Sequence, residues 1–355
     1  MQGASPLLDL SAFLAAEGPI VDVRSPGEFE QGHIPTATNL PLFSDEERAQ
    51  VGTAYKQQGR HIAVQLGLKL VGPKLPALAQ ALLELAQINK PLRLHCWRGG
   101  MRSGSVAWLA GTLELPALVL KGGYKTYRRW VLEYFEQPWP LLVLGGRTGT
   151  GKTDLLLALR QMGAAVVDLE GLANHRGSSF GGLGLPPQPS TEHYENRLAA
   201  SLSAIAGKAP IWLEAESAQV GRCRIPAGLW RQMGEAQAVE IQRPMAERVE
   251  QLVAVYGSQG QDALRLATER IARRLGPQRT VTALEAIAAQ DWAAACRQML
   301  DYYDRCYDNE LSRRNSPVLA SFDLTGLDAD AAAAALLQPA AWREQLDGEV
   351  IRSGS

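Results

Sequence analysis

Leu141-Leu142-Val143-Leu144-Gly145-Gly146-Arg147-Thr148-Gly149-Thr150-Gly151-Lys152-Thr153 runs from an apolar strand through a glycine-rich turn into a helical pattern. From Gly146 to Thr153 it fits G-x-x-x-x-G-K-[ST] in full, in the strand–turn–helix setting that the motif requires. The glycines let backbone N–H groups close around phosphate oxygens. Lys152 brings a point charge to the terminal phosphate, and the Thr153 hydroxyl can ligate Mg²⁺. Three carboxylates at or after the ends of nearby strands are candidate cation neighbours: Asp168, ending the strand in AAVVDL, and Glu214 and Glu216, after Ile211-Trp212-Leu213. Each reads equally well as a solvated surface charge. The glycine- and proline-rich stretch from His175 to Pro189 is too long for a simple connection and reads as a functional loop or lid, with His175 and Arg176 in it.

Working outward, two prolines in Gln137-Pro138-Trp139-Pro140 interrupt the helical segment that ends near Phe135, so the domain boundary falls there. Residues 1–137 form one domain, 138–335 a second with a helical C-terminal region, and 336–355 a tail. In the first, Pro19 to Val23, Leu92 to His95 and Ala117 to Leu120 read as strands. Helical stretches separate them, from Ser44 to Leu70, with capping-box spacing between Ser44 and Glu47, and from Leu75 to Ile88. Strands alternating with helices predict a mostly parallel sheet in an α/β first domain, and the second domain is α/β as well. From Met245 onward the pattern is helical, ending in an alanine-rich stretch.

His95-Cys96-Trp97-Arg98-Gly99-Gly100-Met101-Arg102-Ser103 sits between a strand and a helical pattern. Cys96 and Arg102 stand at the two ends of a C-x₅-R loop. Backbone N–H groups between them can turn inward around an oxyanion, and the helix start behind adds positive potential. The same field, with Arg98 and Arg102, favours a nucleophilic thiolate at Cys96. A buried core cysteine with solvated arginines is the plain alternative. The pattern HC-x-x-G-x-x-R is shared by tyrosine phosphatases and by the rhodanese group.

Val21 to Pro41, VDVRSPGEFEQGHIPTATNLP, and Leu120 to Trp130, LKGGYKTYRRW, resemble the rhodanese family on either side of that loop. A rhodanese-like domain followed by a P-loop domain resembles the tRNA 2-selenouridine synthase family. The likeness extends through Asp168 to Gly181, Gln188 to Leu198 and Leu213 to Pro226, and covers most of residues 10 to 320. The resemblance implies a rhodanese-like parallel-sheet domain and a P-loop NTPase-like α/β domain. It implies an enzyme acting on wobble 2-thiouridine in tRNAs for Lys, Glu and Gln. That enzyme first S-geranylates the base with geranyl diphosphate, then replaces the geranylthio group with selenium from selenophosphate by way of a perselenide on Cys96. Trp97, Arg98, Gly99, Gly100, Met101 and Arg102 would form the selenophosphate loop. Gly146 to Thr153 would bind the diphosphate, with His175, Arg176, Asp168, Glu214, Glu216 and Mg²⁺ as candidate neighbours. Phe180, Leu183 and Leu185 are candidates for the geranyl chain. Arg222, Arg224, Arg273, Arg274, Arg313 and Arg314 are candidate tRNA phosphate contacts, with Tyr302, Tyr303 and Tyr307 for stacking.

Composition sets the frame. The 355 residues carry a formal net charge of −1, so RNA binding would need a local basic face. Four scattered cysteines, without a C-x-x-C pair, suggest neither a zinc site nor a disulfide framework and fit a reducing compartment. With no basic n-region at the start and no evident bilayer-spanning run, the expectation is a cytoplasmic protein that avoids membranes; oligomeric state stays open. Two other readings remain. One is an anion-loop phosphatase or sulfurtransferase coupled to a P-loop kinase or ATPase. The other is a regulatory ATPase whose first domain only binds partners.

Overall fold

The structure is a computed structural model that describes residues 5–311 and 318–338. The chain forms two compact units: residues 1–134 with 192–200, and residues 135–191 with 201–355. Where the sequence suggested one cut near residue 137, the first unit also takes in residues 192–200, from the helix Thr191–Ala204.

The first unit is built on a five-stranded parallel sheet of β1 (Leu7–Leu8), β2 (Ile20–Asp22), β3 (Thr38–Asn39), β4 (Leu92–His95) and β5 (Ala117–Leu120), in the order β1-β5-β4-β2-β3. Parallel strands covered on both faces need apolar side chains on both, which is why Leu92, Leu94, Val119 and Leu120 are all buried. Leu78 and Leu82 of the helix Leu75–Leu85 and Val106 and Ala110 of the helix Met101–Thr112 complete that core.

The expected Ser44–Leu70 helix is two helices, Asp45–Gln58 and Arg60–Val71. Gly59 separates them at φ +88°, a left-handed backbone that a helix cannot continue through and that favours glycine. The capping box forms: Ser44 N–H donates to Glu47 Oε2 at 2.8 Å, and Glu47 N–H donates to Ser44 Oγ at 3.2 Å. The helical run Arg60–Leu85 bears on the bilayer reading. At 26 residues it is long and apolar enough to cross a membrane by length and composition. It consists of two α-helices, Arg60–Val71 and Leu75–Leu85, joined by a 3-10 turn at Gly72–Lys74.

The second unit has its own parallel sheet of β6 (Leu141–Gly145), β7 (Ala165–Val167), β8 (Ile211–Glu214), then, beyond a small hairpin of β9 (Gln219–Val220) and β10 (Cys223–Arg224), β11 (Ala238–Gln242) and β12 (Val318–Asp323). Its order is β12-β11-β6-β8-β7. The sequence reading missed β11 and β12. Glu240 interrupts the apolar run of β11, and β12 is an edge strand with only Ala320 buried, so neither leaves a clear signature. Helices Met245–Tyr256, Gln261–Leu275, Pro277–Ala288 and Trp292–Leu311 carry a separate apolar cluster, which takes in Phe180 from the long loop. None of the four cysteines, all among the described residues, is in a disulfide.

Candidate functional site

β4 is the central strand of the first sheet, and Cys96 follows its carboxyl end, the place where parallel sheets hold ligands. The N–H groups of Tyr124 and Lys125 donate to the carbonyls of Cys96 and Trp97, at 2.8 and 2.9 Å. A trans peptide points its N–H opposite to its C=O. Anchoring those carbonyls therefore turns the N–H groups of Trp97 and Arg98 the other way, and that of Arg98 reaches the Cys96 sulfur. The close approach explains the paired glycines after β5. A Cβ on Gly123 would stand 2.3 Å from the Cys96 carbonyl oxygen, and one on Gly99 would stand 2.2 Å from that of Leu120.

Cys96 is buried, with Sγ 3.3 Å from Ser103 Oγ. Burial opposes ionisation of the thiol. The Ser103 hydroxyl and N–H, the Arg98 N–H and the charge of Arg102 outweigh it, and the thiol lies below its ordinary value. Arg102 is itself held by Glu28, with Nη1 2.6 Å from Oε2. Trp97, Arg98, Gly100 and Met101 are exposed. Arg98 thus acts on the sulfur through its backbone rather than its guanidinium. Asp22 and Arg24 form a buried ion pair behind the loop, at 2.6 Å, and the Arg24 guanidinium lies 3.7 Å from the centre of the Tyr124 ring. Tyr124 donates to Glu192 at 2.8 Å and accepts from Asn196 at 2.7 Å, so residues from the quoted run Gln188 to Leu198 brace the helix that pins the cysteine loop. His33 is a packing residue, its ring stacked on Phe29 at 3.7 Å.

In the second unit β6 is again the central strand, and Gly146 to Gly151 lead from it into the helix Lys152–Gln161. Gly149, at φ +83°, passes so near the next helix that a Cβ would lie 2.9 Å from the Arg248 carbonyl oxygen. Side chains far away in the sequence set this loop. Gly146 N–H donates to Tyr307 Oη at 2.7 Å, and Tyr307 in turn donates to Glu240. Arg248 Nε donates to the Thr148 carbonyl at 2.8 Å, and Arg243 Nε to that of Thr150 at 3.1 Å. Arg147 pairs with Asp308 at 2.8 Å. Tyr307, proposed from sequence for base stacking, is committed to the loop.

Lys152 Nζ donates to the Gly146 carbonyl at 2.7 Å, and Thr153 Oγ1 to Glu170 Oε2 at 2.7 Å. Glu170 was missed in the sequence; its signal was a carboxylate two residues after Asp168, in the first turn of the short helix Leu169–Ala173. Asp168 instead caps that helix, accepting from Gly171 N–H at 2.7 Å. Glu214 is buried and accepts from Glu170 N–H at 2.7 Å, while its Oε2 has no hydrogen-bond partner. Burial first, then Glu170 and Asp168, push the Glu214 carboxyl up to about 8. Glu170 and Glu216 hydrogen-bond one another and are raised as well, mainly by burial.

Lys152, Thr153, Glu170, Glu216, Arg176 and Tyr303 line one cavity of ≈ 360 Å³. Thr148, Ser178, Leu252, Tyr256 and Tyr303 also line an adjoining slot of ≈ 50 Å³, otherwise walled by apolar side chains such as Phe180, Trp292 and Met299. Of the expected chain-lining loop residues, Phe180 lines the slot and Leu183 packs on the same cluster. His175 is half-buried beside Gly181. Arg222 and Arg224 lie on the β9–β10 hairpin, away from the phosphate-loop cavity, and Arg222 is tied to the Gln188 carbonyl. Arg273 and Arg274 are exposed at the end of the helix Gln261–Leu275, where the charge of Arg274 reaches Tyr302 and Tyr303. Arg313 and Arg314 lie outside the described residues.

Comparison with known proteins agrees with both halves. Residues 7–129 match the family described as "Rhodanese-like domain", and residues 139–331 match "tRNA 2-selenouridine synthase AAA domain". A tRNA 2-selenouridine synthase of Marinobacter nauticus is 37% identical over 340 residues, covering 85% of this chain and 90% of that one. One from Hahella chejuensis is 38% identical over 343 residues, covering 86% and 88%. Among solved structures, the N-terminal domain of a putative ATP/GTP binding protein from Clostridium difficile 630 is 43% identical. It covers 36% of this chain and 98% of that one, with a TM-score of 0.34.

Proposed function

The chain belongs to the tRNA 2-selenouridine synthase family of enzymes, and from that premise we propose that it converts wobble 2-thiouridine of tRNA to 2-selenouridine in two steps, one in each unit. The observation that carries this reading is the pair of dissimilar anion loops, one with an activated thiol and one with a phosphate-binding lysine.

In the second unit the substrate is geranyl diphosphate. Loop N–H groups and Lys152 hold the diphosphate while the base sulfur attacks the prenyl carbon and the C–O bond breaks. No protein nucleophile is needed; positioning and charge stabilisation of the leaving diphosphate supply the catalysis. The apolar slot beside Tyr256 and Phe180 receives the start of the hydrocarbon chain. Thr153, with Glu170 and Glu216, fits Mg²⁺, since hydroxyl and carboxylate oxygens are its preferred donors and Glu170 already meets Thr153. When bound there, Mg²⁺ would neutralise charge on the departing diphosphate.

Alkylation turns a poor leaving sulfur into a thiol. In the first unit the Cys96 loop takes selenophosphate, whose selenium is already at the selenide level. The Cys96 thiolate attacks phosphorus, the P–Se bond breaks, and the phosphoryl group passes to sulfur while selenide is freed beside the base. Selenide adds at C2 of the base and geranylthiol leaves; water then cleaves the S–P bond, releasing phosphate and restoring Cys96. Mass spectrometry of 2-thiouridine tRNA incubated with the protein, geranyl diphosphate, selenophosphate and a thiol tests the whole reading. Absence of both the S-geranyl and the selenium product would refute it.

A further inference from the structure

One apolar cavity next to the cysteine loop is not in the phosphate-loop unit. It lies in the first, has a volume of ≈ 620 Å³, and is walled by the helices Asp45–Gln58, Arg60–Val71 and Met101–Thr112. That size is ordinary for a small-molecule site. Its apolar side chains are not hidden: Tyr55 is 60% exposed, Leu68 67% and Trp108 63%. A single exposed apolar residue needs no explanation, but a concave group of large ones does.

Two further observations narrow the occupant. Met101 and Arg102 line the cavity and also belong to the cysteine loop, so wall and loop share the first turn of one helix. The rim is cationic. Arg60 lies with Nη2 3.9 Å from Met101 Sδ, and among the described residues it pairs with no carboxylate. An apolar pocket with a cation at its mouth, sharing Met101 and Arg102 with the loop that carries the nucleophilic cysteine, is complementary to a hydrocarbon chain borne on a polyanion.

We propose that this cavity receives the S-linked isoprenoid chain of the alkylated base, while Arg60 meets a phosphate of the same strand and the Cys96 loop acts on the adjacent carbon. The inference rests on the two-step reading above and adds to it a specificity element. The selenation unit would recognise the alkylated base by its chain, and unalkylated 2-thiouridine would be bound weakly. The isoprenoid group would then serve as a handle as well as a leaving group.

The test uses the full-length protein and anticodon stem-loop oligonucleotides carrying S-geranyl-2-thiouridine or S-methyl-2-thiouridine. Nine fewer buried carbons should weaken binding by at least ~30-fold, given the free energy of burying each methylene. Leu68→Glu and Trp108→Gln alter exposed positions, so circular dichroism should match wild type. Both should raise KM for selenation of the S-geranyl substrate by ~10-fold or more, leave the S-methyl substrate unchanged, and keep the geranylation rate within about two-fold. Arg60→Ala should weaken both alkylated oligonucleotides equally and flatten their salt dependence by about one phosphate's worth. Undiminished preference for the S-geranyl oligonucleotide in both apolar variants would overturn the proposal. So would unchanged kinetics with loss of self-association, which marks a contact between copies, or with loss of binding to phosphatidylcholine vesicles, which marks a lipid-facing surface. Failure of the wild-type protein to make or convert the S-geranyl base at all would instead sink the two-step reading itself.

Discussion

Cys96 and Gly146 each follow the central strand of a five-stranded parallel sheet, and each begins a turn that ends in a helix start. What surrounds the two turns differs. Around Cys96 the groups that matter lower the cost of negative charge on the protein itself: Ser103, the Arg98 N–H and Arg102 all favour the thiolate. Around Lys152 the protein gathers its own acids, Glu170, Glu214 and Glu216, and burial is the first cause that raises all three carboxyls. One loop is prepared to attack; the other is prepared to hold charge that arrives from outside. The comparison teaches that a shared backbone frame for anions leaves the chemistry to a few side chains behind it.

The sharpest way to break the contrast is Cys96→Ser. The hydroxyl stays protonated near neutral pH and is nearly the size of the thiol, so the loop should persist. Selenation should disappear, while geranylation stays within about two-fold and S-geranyl tRNA accumulates even with selenophosphate present. Mass spectrometry of digested tRNA reads both products. If a folded variant lost geranylation too, the division of labour between the loops would be wrong.

Lys152→Ala probes the other side. A charge-assisted contact to the diphosphate contributes about 1.5–3 kcal/mol, which is roughly ten- to a hundred-fold in rate. Geranylation should fall by that much, whereas selenation of a pre-geranylated oligonucleotide should be nearly unaffected. Equal loss of both steps would count against separate sites.

The backbone of this contrast was legible in the sequence. Both loops announce themselves by spacing, and the capping box at Ser44 was readable because its reach is three residues. What could not be read was set by contacts distant in sequence. Tyr307 meets Gly146 across 161 residues and Arg248 meets Thr148 across 100, and no local pattern marks either. The cavity beside the cysteine loop was equally hidden. Gly59 turns one expected helix into two, and the cavity is bounded by both of them and by a third helix further along the chain.

Glu214→Gln should sharpen the electrostatic half through stability. With the folded-state carboxyl at about 8 and the unfolded one near its ordinary 4.5, the native protein keeps a proton that the unfolded chain gives up. That contribution is complete below the unfolded value and is lost as pH rises toward 8. An amide neither titrates nor gives up a proton. The melting temperature of the variant should therefore gain on wild type between pH 5 and pH 8, by several degrees at the alkaline end. A difference that does not change with pH would mean that Glu214 is already ionised in the native protein.

Ser103→Ala is the smallest change and tests how the thiol is tuned. Its hydroxyl lies 3.3 Å from the Cys96 sulfur and 3.2 Å from the Gly100 carbonyl, so its proton has two acceptors within reach. While Cys96 is a thiol, the S–H can donate to Ser103 Oγ and the hydroxyl to Gly100. Once Cys96 ionises, the hydroxyl can turn and donate to sulfur, stabilising the charge. Alanine removes that response but leaves the Ser103 and Arg98 N–H positions and the Arg102 charge in place. The thiol should then ionise at higher pH. Iodoacetamide alkylation of Cys96, followed by mass spectrometry of its peptide, should slow several-fold at neutral pH and recover at alkaline pH to the wild-type plateau. A lower plateau with an unshifted midpoint would show that Ser103 governs access to the sulfur rather than its charge, and tuning of the thiolate would then fall to the backbone and Arg102 alone.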